Sequence, residues 1–166
     1  MPVPAQAAQA LEYLPPELRQ RARDYFAYST DFLPLAAGTA DTESISIQAD
    51  SDFLLVAATG IARDPADVDS RFAAPAITVQ LTDTGSGRQL QNQAQDWLSF
   101  FGDSELPFFL PYPKVLDRNS ILTTTLENLD GAQDYDVRIS YHGFKIFNWN
   151  WNAGTGAESR PRRAAR

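Results

Sequence analysis

The chain has 166 residues, a formal net charge of −7 and no cysteine. This length suits a single domain with a substantial hydrophobic core. Without cysteine, the chain has no disulfides, thiolate metal ligands or cysteine nucleophiles. The acidic balance argues against a nucleic-acid partner, because neutralising phosphate charge is the main sequence-independent source of such binding.

The two ends of the chain differ from its middle in composition. The first ten residues lack the basic and apolar regions of a secretory signal, and no run approaches the roughly 18 apolar residues of a membrane span. We therefore expect a cytosolic, soluble protein without a membrane partner. The last nine residues hold four arginines against Glu158. We interpret this tail as a solvated terminus that can also contact an acidic partner.

A helix is predicted near the amino terminus. Proline at residues 15 and 16, followed by Glu17, is typical of a helix start. Apolar residues then recur at helical spacing, which predicts a helix from Glu17 to about Tyr28, ended by the polar residues 29–31 and by Pro34. The residues at this spacing are Leu18, Ala22, Tyr25 and Phe26.

From Asp41 onward the hydrophobic period changes to two, which predicts β-strands separated by turns. Gly85 and Gly87 predict a tight hairpin connection. Residues 91–102 are expected to form a loop or short helical turn packed by its aromatic side chains. The predicted strands lie near residues 45–47, 53–61 (central), 77–81, 88–90, 108–110 (an edge strand between prolines), 121–126 and 135–147.

The last predicted strand carries the clearest two-sided pattern. Val137, Ile139 and Tyr141 share its buried side. Gly143 is expected to mark a bulge that moves Phe144 and the next isoleucine onto that same side. The predicted core residues are Val56, Ile77, Val79, Leu126, Val137 and Ile139.

Seven or eight strands without an alternating helical rhythm favour an antiparallel sandwich, jelly roll or barrel over any α/β fold. We predict a mainly β protein: an antiparallel β-sandwich or jelly roll with one N-terminal helix and extended terminal arms. The predicted divisions are an N-terminal arm and helix (1–30), the sandwich domain (31–147) and a C-terminal arm (148–166).

Few residues suggest a catalytic or metal-binding site. His142 is the only histidine, and it falls out of phase with the buried side of its strand, so we interpret it as a structural or surface residue. Asp64, Asp67 and Asp69 offer the oxygen ligands that Ca²⁺ prefers, but their spacing differs from the known calcium loop, so a solvated loop is favoured. We predict no catalytic residues, no metal and no cofactor.

Trp149 and Trp151 alternate with asparagines after the last predicted strand. On a continued strand they would point to one face. Such a pair can anchor a protein interface, cover the end of the core or stack on sugar rings. Core or interface roles are favoured over sugar binding.

Several segments together resemble the small virion proteins of tailed bacteriophages, which are β-sandwich or jelly-roll proteins that decorate or cement the capsid shell. The resemblance covers about residues 30–147, and its motifs are structural rather than catalytic. The segments that carry it are Thr82–Arg88, Leu106–Pro111, Arg118–Ile121 and Arg138–Phe147.

The resemblance implies a non-enzymatic protein at the capsid surface, made in the cytoplasm of a bacterial host. Its expected partners are the major capsid protein and further copies of itself, in a homodimer or homotrimer. The arms, residues 2–14 and 149–166, are expected to reach neighbouring subunits. The expected partner-binding residues are Tyr13, Tyr25, Phe26, Trp149, Trp151, Arg160, Arg162 and Arg163.

Two other functions remain open from the sequence. The first is a carbohydrate-binding module or a receptor-binding fibre or spike component, with Trp97, Tyr112, Trp149 and Trp151 as its aromatic platform. The second is a small hydrolase that uses two carboxylates. It is suggested only by the acidic composition, which predicts catalytic sites poorly.

Overall fold

The structure is a computed structural model that describes residues 12, 16, 22–85, 87–102 and 107–147. Across these residues the chain is mainly β, as predicted. Glu12 and Pro16 have helical backbone, and Trp97–Ser99 form one short 3-10 helix. The nine strands are β1 (Ala22–Leu35), β2 (Ala40–Ser46), β3 (Asp52–Arg63), β4 (Ile77–Asp83), β5 (Arg88–Gln89), β6 (Gln95–Asp96), β7 (Phe108–Leu116), β8 (Ile121–Asn128) and β9 (Tyr135–Ile146).

The strands form two antiparallel sheets. One has the order β1-β9-β3-β7, and the other has the order β2-β8-β4-β5, with β6 also pairing with β4. The long strands that follow each other in sequence, β1 to β4 and β7 to β9, alternate between the two sheets. Apolar side chains of both sheets meet in one cluster between them, so the β-sandwich prediction is confirmed.

Alternation places the core residues where the sequence predicts them. In β4, Ile77, Val79 and Leu81 are buried, while Thr78 and Gln80 between them are only half-buried. Val137 and Ile139 of β9 join the same cluster, as does Leu126 of β8. Val56 is also buried, but it stands outside the cluster.

Strand β3 is central, as its continuous apolar run predicts. It pairs with β9 on one side and with β7 on the other, so residues 53–58 are all buried. Farther along, Gly60 lies against the indole of Trp97, and a Cβ at this position would overlap that ring. The glycine therefore lets the 3-10 helix pack Trp97 into the core.

The predicted helix over residues 17–28 is wrong from Ala22 onward, where β1 begins. Phe26, Tyr28 and Phe32 alternate toward the core, a period of two that the helical interpretation missed. The spacing of Tyr25 and the residues before it fits a helix, but pairing with β9 decides in favour of a strand. The boundary predicted between residues 30 and 31 falls inside β1. Residues 17–21 lie outside the described ranges.

The predicted bulge at Gly143 is also wrong. Strand β9 pairs with β1 in unbroken register from Lys145 to Val137, and the irregularity lies instead on β3, opposite Gly143. A Cβ at Gly143 would overlap the carbonyl oxygen of Leu54 and lie 2.7 Å from Cζ of Phe53. Glycine is needed here for the close approach of β3, and Phe144 stays on the opposite side from the core.

Candidate binding surface

The four-stranded sheet turns one side toward the core and the other away from it. We call the latter the outer face. Because β1, β9 and β3 are in register, their outward side chains form rows across the sheet. The rows are Ser29–Ser140–Thr59 and Asp31–Arg138–Ile61, with His142 beside Tyr25 and Phe144.

His142 lies in the middle of this face, which confirms that it is out of phase with the core. Its Nδ1 is 2.6 Å from the hydroxyl of Tyr25, and its Nε2 is 2.9 Å from Oγ1 of Thr59. The tyrosine ring also stacks on the imidazole. Both ring nitrogens therefore have hydrogen-bond partners, which fixes the orientation of the imidazole.

Partial burial lowers the pKa of His142 below its ordinary value of 6.5. Below pH 6.5 the unfolded chain therefore binds a proton that the folded chain resists, so stability rises with pH in this window. We expect the melting temperature to fall as the pH is lowered from 7 to 5. We expect a smaller fall in the variant His142→Gln. Thermal melts of both proteins across this range test the prediction, and equal slopes would contradict it.

Asp31 and Arg138 form a two-pronged ion pair on the next row. The guanidinium donates to the two carboxylate oxygens at 2.6 and 2.9 Å. Hydrogen bonding to Arg138 lowers the pKa of Asp31 below 3.8. The pair is exposed, so its contribution to stability is at most about 1 kcal/mol. The two hydrogen bonds fix the orientation of both charged groups on the outer face.

A shallow depression of about 210 Å³ adjoins this pair. Leu33, Ile61 and Val68 give it apolar walls, and Arg63 with neighbouring carboxylates gives it a charged rim. The Nε of Arg63 is buried without a hydrogen-bond partner among the described residues. A buried donor without a partner costs stability.

Exposed apolar side chains mark the same side of the molecule. Tyr25 is 64% exposed, Leu33 61% and Val68 70%. Other exposed large apolar residues of the described ranges are scattered over other elements: Leu98, Tyr112, Ile121 and Leu129. Leu33 and Val68 line the depression beside the Asp31–Arg138 pair, whereas Tyr25 lies farther along β1, beside His142.

The predicted partner-binding residues separate in the structure. Tyr25 lies on the outer face, whereas Phe26 points to the core side, against the ring of Tyr28 and under the ammonium of Lys145. Phe26 therefore packs one end of the sandwich. The others lie outside the described residues: Tyr13, Trp149, Trp151, Arg160, Arg162 and Arg163.

Ion pairs close this end of the sandwich. Asp52 is almost fully buried, and it accepts from the backbone nitrogen and the guanidinium of Arg118 at 3.0 Å. Lys145 bonds to Asp50 at 2.9 Å and also to Gln48. These contacts satisfy groups that would otherwise be costly to bury, which is a structural role.

The aspartates of the loop after β3 act as turn acceptors. Asp64 accepts from the backbone nitrogen of Ala66 at 2.9 Å, and Asp67 accepts from that of Asp69 at 3.0 Å. These short-range bonds explain the spacing of the carboxylates. Among the described residues, no group of three or more histidine or carboxylate side chains is arranged to hold a metal ion.

The five-stranded sheet presents a different surface. Hydroxyl pairs cross from β2 to β8, between Thr42 and Thr125 and between Ser44 and Thr123, each at 3.0 Å. These hydroxyls bond to each other, so the outward side chains of β2 and β8 at these positions are polar and uncharged.

Sequence reasoning missed most of the outer face. It placed Asp31 in a helix stop and gave no role to Leu33, Val68 or Arg138. The period of two from Phe26 to Phe32 was the signal that could have revealed β1 and, with it, the outward position of Tyr25 and Asp31.

Comparison with known proteins gives no matching protein-family model and no matching curated protein. No helix within the described ranges is long and apolar enough to cross a membrane.

Proposed function

We propose that this chain is a capsid cement or decoration protein of a tailed bacteriophage, which binds the major capsid protein and stabilises the shell. The observation that carries the proposal is the strand order, β1-β9-β3-β7 in one sheet and β2-β8-β4-β5 in the other. This order supports a jelly roll, because a jelly roll distributes the eight strands of two Greek keys over two sheets. Virion proteins are among the main users of that fold.

Fold alone does not specify function, so the proposal also depends on a surface. The outer face offers exposed Leu33 and Val68 beside the fixed Asp31–Arg138 pair, and exposed Tyr25 farther along β1. Tyrosine and arginine are enriched at the energetic centres of protein interfaces. We assign this face to the contact with the capsid subunit.

In this proposal the protein acts at the virion surface after synthesis in the bacterial cytoplasm. It assembles as a homodimer or homotrimer over junctions between capsid subunits, without nucleic-acid or membrane partners. Residues 2–14 and 149–166 reach neighbouring subunits and supply Tyr13, the tryptophans and the arginines. Binding that is repeated over a lattice stabilises the assembled shell by mass action.

The test uses shells of the cognate phage that lack this protein. Added wild-type protein should co-sediment with the shells and raise the temperature at which they release DNA. The double variant Leu33→Glu/Val68→Glu should fold normally and lose most binding, because it places charge in the contact. Failure of the wild-type protein to bind or protect shells would remove the proposal.

The matched control is Leu98→Glu/Leu129→Glu, which changes two exposed apolar residues away from the outer face. It should bind as the wild type does. If this control lost binding while Leu33→Glu/Val68→Glu still bound the shells, the contact would lie elsewhere than on the outer face. Gel densitometry of virions adds a second measure, since a cement protein is present in many copies per shell.

The alternative is a carbohydrate-binding module or a receptor-binding fibre or spike component. Tyr112 is strongly exposed on edge strand β7, and hydroxyls line the second sheet, which favours contact with polar ligands. Trp97 is buried, so it cannot form part of the aromatic platform expected from the sequence. Specific hits on a glycan array, with no binding to shells, would support this alternative.

A further inference from the structure

The edge strands of the two sheets differ in how their open sides are protected. The edges are β1 and β7 in one sheet, and β2 with the short β5 and β6 in the other. An open edge can pair with a strand of another chain, and prolines, charges or short length normally prevent this. Among the described strands, none pairs with the side of β1 that faces away from β9.

All the other edges carry such protection. Strand β7 contains Pro111 and Pro113, and its pairing with β3 is irregular beside them. Strand β2 carries Asp41 and Glu43, which are both exposed. Strands β5 and β6 have two residues each. These features disfavour pairing of another chain with any of these edges.

Strand β1 lacks this protection. It has 14 residues, with no proline before Pro34. From Asp24 to Phe32 it pairs with β9 in unbroken register. The one charged side chain between these two residues is Asp31, whose charge is matched by Arg138. The open side of β1 is therefore long and regular, which suits the addition of another strand.

The sequence of β1 is self-complementary about Ser29. In an antiparallel pair centred there, residues at equal distances before and after Ser29 lie opposite each other. Tyr25 of one copy then faces Leu33 of the other. These are the large exposed apolar residues of the strand, at 64% and 61% exposure. On the core side of the strand, Phe26 faces Phe32 in the same way.

Charge also fits this register. Asp31 faces Ala27 of the second copy, and the two copies of Asp31 are separated by about 13 Å along the strands. No like charges therefore meet where the strands pair. A centre at Tyr28 would instead place Asp31 opposite Tyr25 and take Leu33 away from its apolar partner.

We infer that the open edge of β1 is a homodimer interface, in which two copies pair antiparallel about Ser29 across a twofold axis. Such a contact uses the same surface on both chains. It joins two four-stranded sheets into one continuous sheet and places their outer faces side by side. The inference goes beyond the proposed function, which leaves the oligomer open and names no contact between copies.

The first test measures self-association of the full chain by analytical ultracentrifugation. The wild type should form dimers that dissociate on dilution. Ser29→Lys should raise the dimer dissociation constant roughly tenfold or more, because it places two ammonium groups opposite each other. Ser29 is exposed, so circular dichroism of the variant should match that of the wild type. A monomeric wild type would overturn the inference.

Ser44→Lys is the matched control for this substitution. Ser44 is also exposed on an edge strand, and its hydroxyl bonds to that of Thr123 as the hydroxyl of Ser29 bonds to that of Ser140. The control should dimerise as the wild type does. Equal weakening by both substitutions, or weakening by Ser44→Lys alone, would place the contact elsewhere and overturn the inference.

A second test measures the register and does not depend on dissociation. The chain has no cysteine, so Ser29→Cys introduces a single thiol. Opposite residues of an antiparallel pair have Cα atoms about 4.5–5.5 Å apart, within the range of a disulfide. Mild oxidation should therefore link the two chains. Two copies of Ala27 would lie about 13 Å apart along the strands, so Ala27→Cys should not link them.

Equal linkage of both cysteine variants, or linkage of neither, would overturn the inference. Neither test uses capsid shells. A wild-type protein that protects shells but stays monomeric would retain the proposed function and overturn the dimer. A dimer that Ser29→Lys weakens, but that does not bind shells, would remove the proposed function and support the interface.

Discussion

Ile139→Asp should prevent the chain from folding. Ile139 is 0% exposed and lies in the cluster between the two sheets, on a strand paired on both sides. An unpaired carboxylate there costs several kcal/mol even after its pKa rises. The whole stability of a domain is about 5–15 kcal/mol. Loss of the cooperative thermal transition and of near-ultraviolet dichroism would be the measured result.

Two control substitutions distinguish the effect of burying a charge from the effect of any substitution in β9. Ile139→Val removes one methylene and should cost only about 0.5–1.5 kcal/mol. Ser140→Asp places the same charge on the outer face, one residue along, and should cost about 1 kcal/mol or less. A soluble Ile139→Asp protein with a cooperative melt would show that the faces of β9 are wrongly assigned.

Gly143→Ala should be the most damaging small substitution in the sheet. The added Cβ meets the backbone of Leu54, which belongs to the central strand and has little room to move. Overpacking of a core commonly costs about 1–3 kcal/mol, and we expect at least the upper end because the obstacle is backbone. Denaturant unfolding of the variant gives the free-energy difference directly.

Gly131→Ala is the matched control for this substitution. No atom lies within 4 Å of a Cβ at Gly131, so the same methyl group meets open space. The expected change is within about 0.5 kcal/mol of the wild type. Comparable destabilisation by the two substitutions would mean that loss of glycine flexibility, and not the approach of β3, is what matters.

The pattern of hydrophobic residues determined the sandwich. Ile77, Val79 and Leu81 alternate with polar residues, so only a strand with one buried side suits them. The long apolar run of β3 predicts a central strand, and in the structure β3 pairs with β7 on one side and β9 on the other. This pattern does not predict the order of strands within each sheet. It shows which side of a strand is buried, but not which strands pair with it.

The candidate surface was harder to predict. Tyr25 and Phe26 are adjacent in the sequence and similar in character, yet one lies on the outer face and the other packs against the core. That difference follows from β1 being a strand, which the helical spacing of the upstream residues obscured. Asp31 and Arg138 are 107 residues apart, and only the pairing of β1 with β9 brings them together.

The sequence by itself determined the mainly β class, the faces of the inner strands and the outward position of His142, because all three follow from a local period of two. The tertiary structure alone decided that β1 pairs with β9, that Gly143 admits the backbone of β3, and that Phe144 and Ile146 are buried away from the core. These features depend on contacts between distant strands, and no local period contains that information.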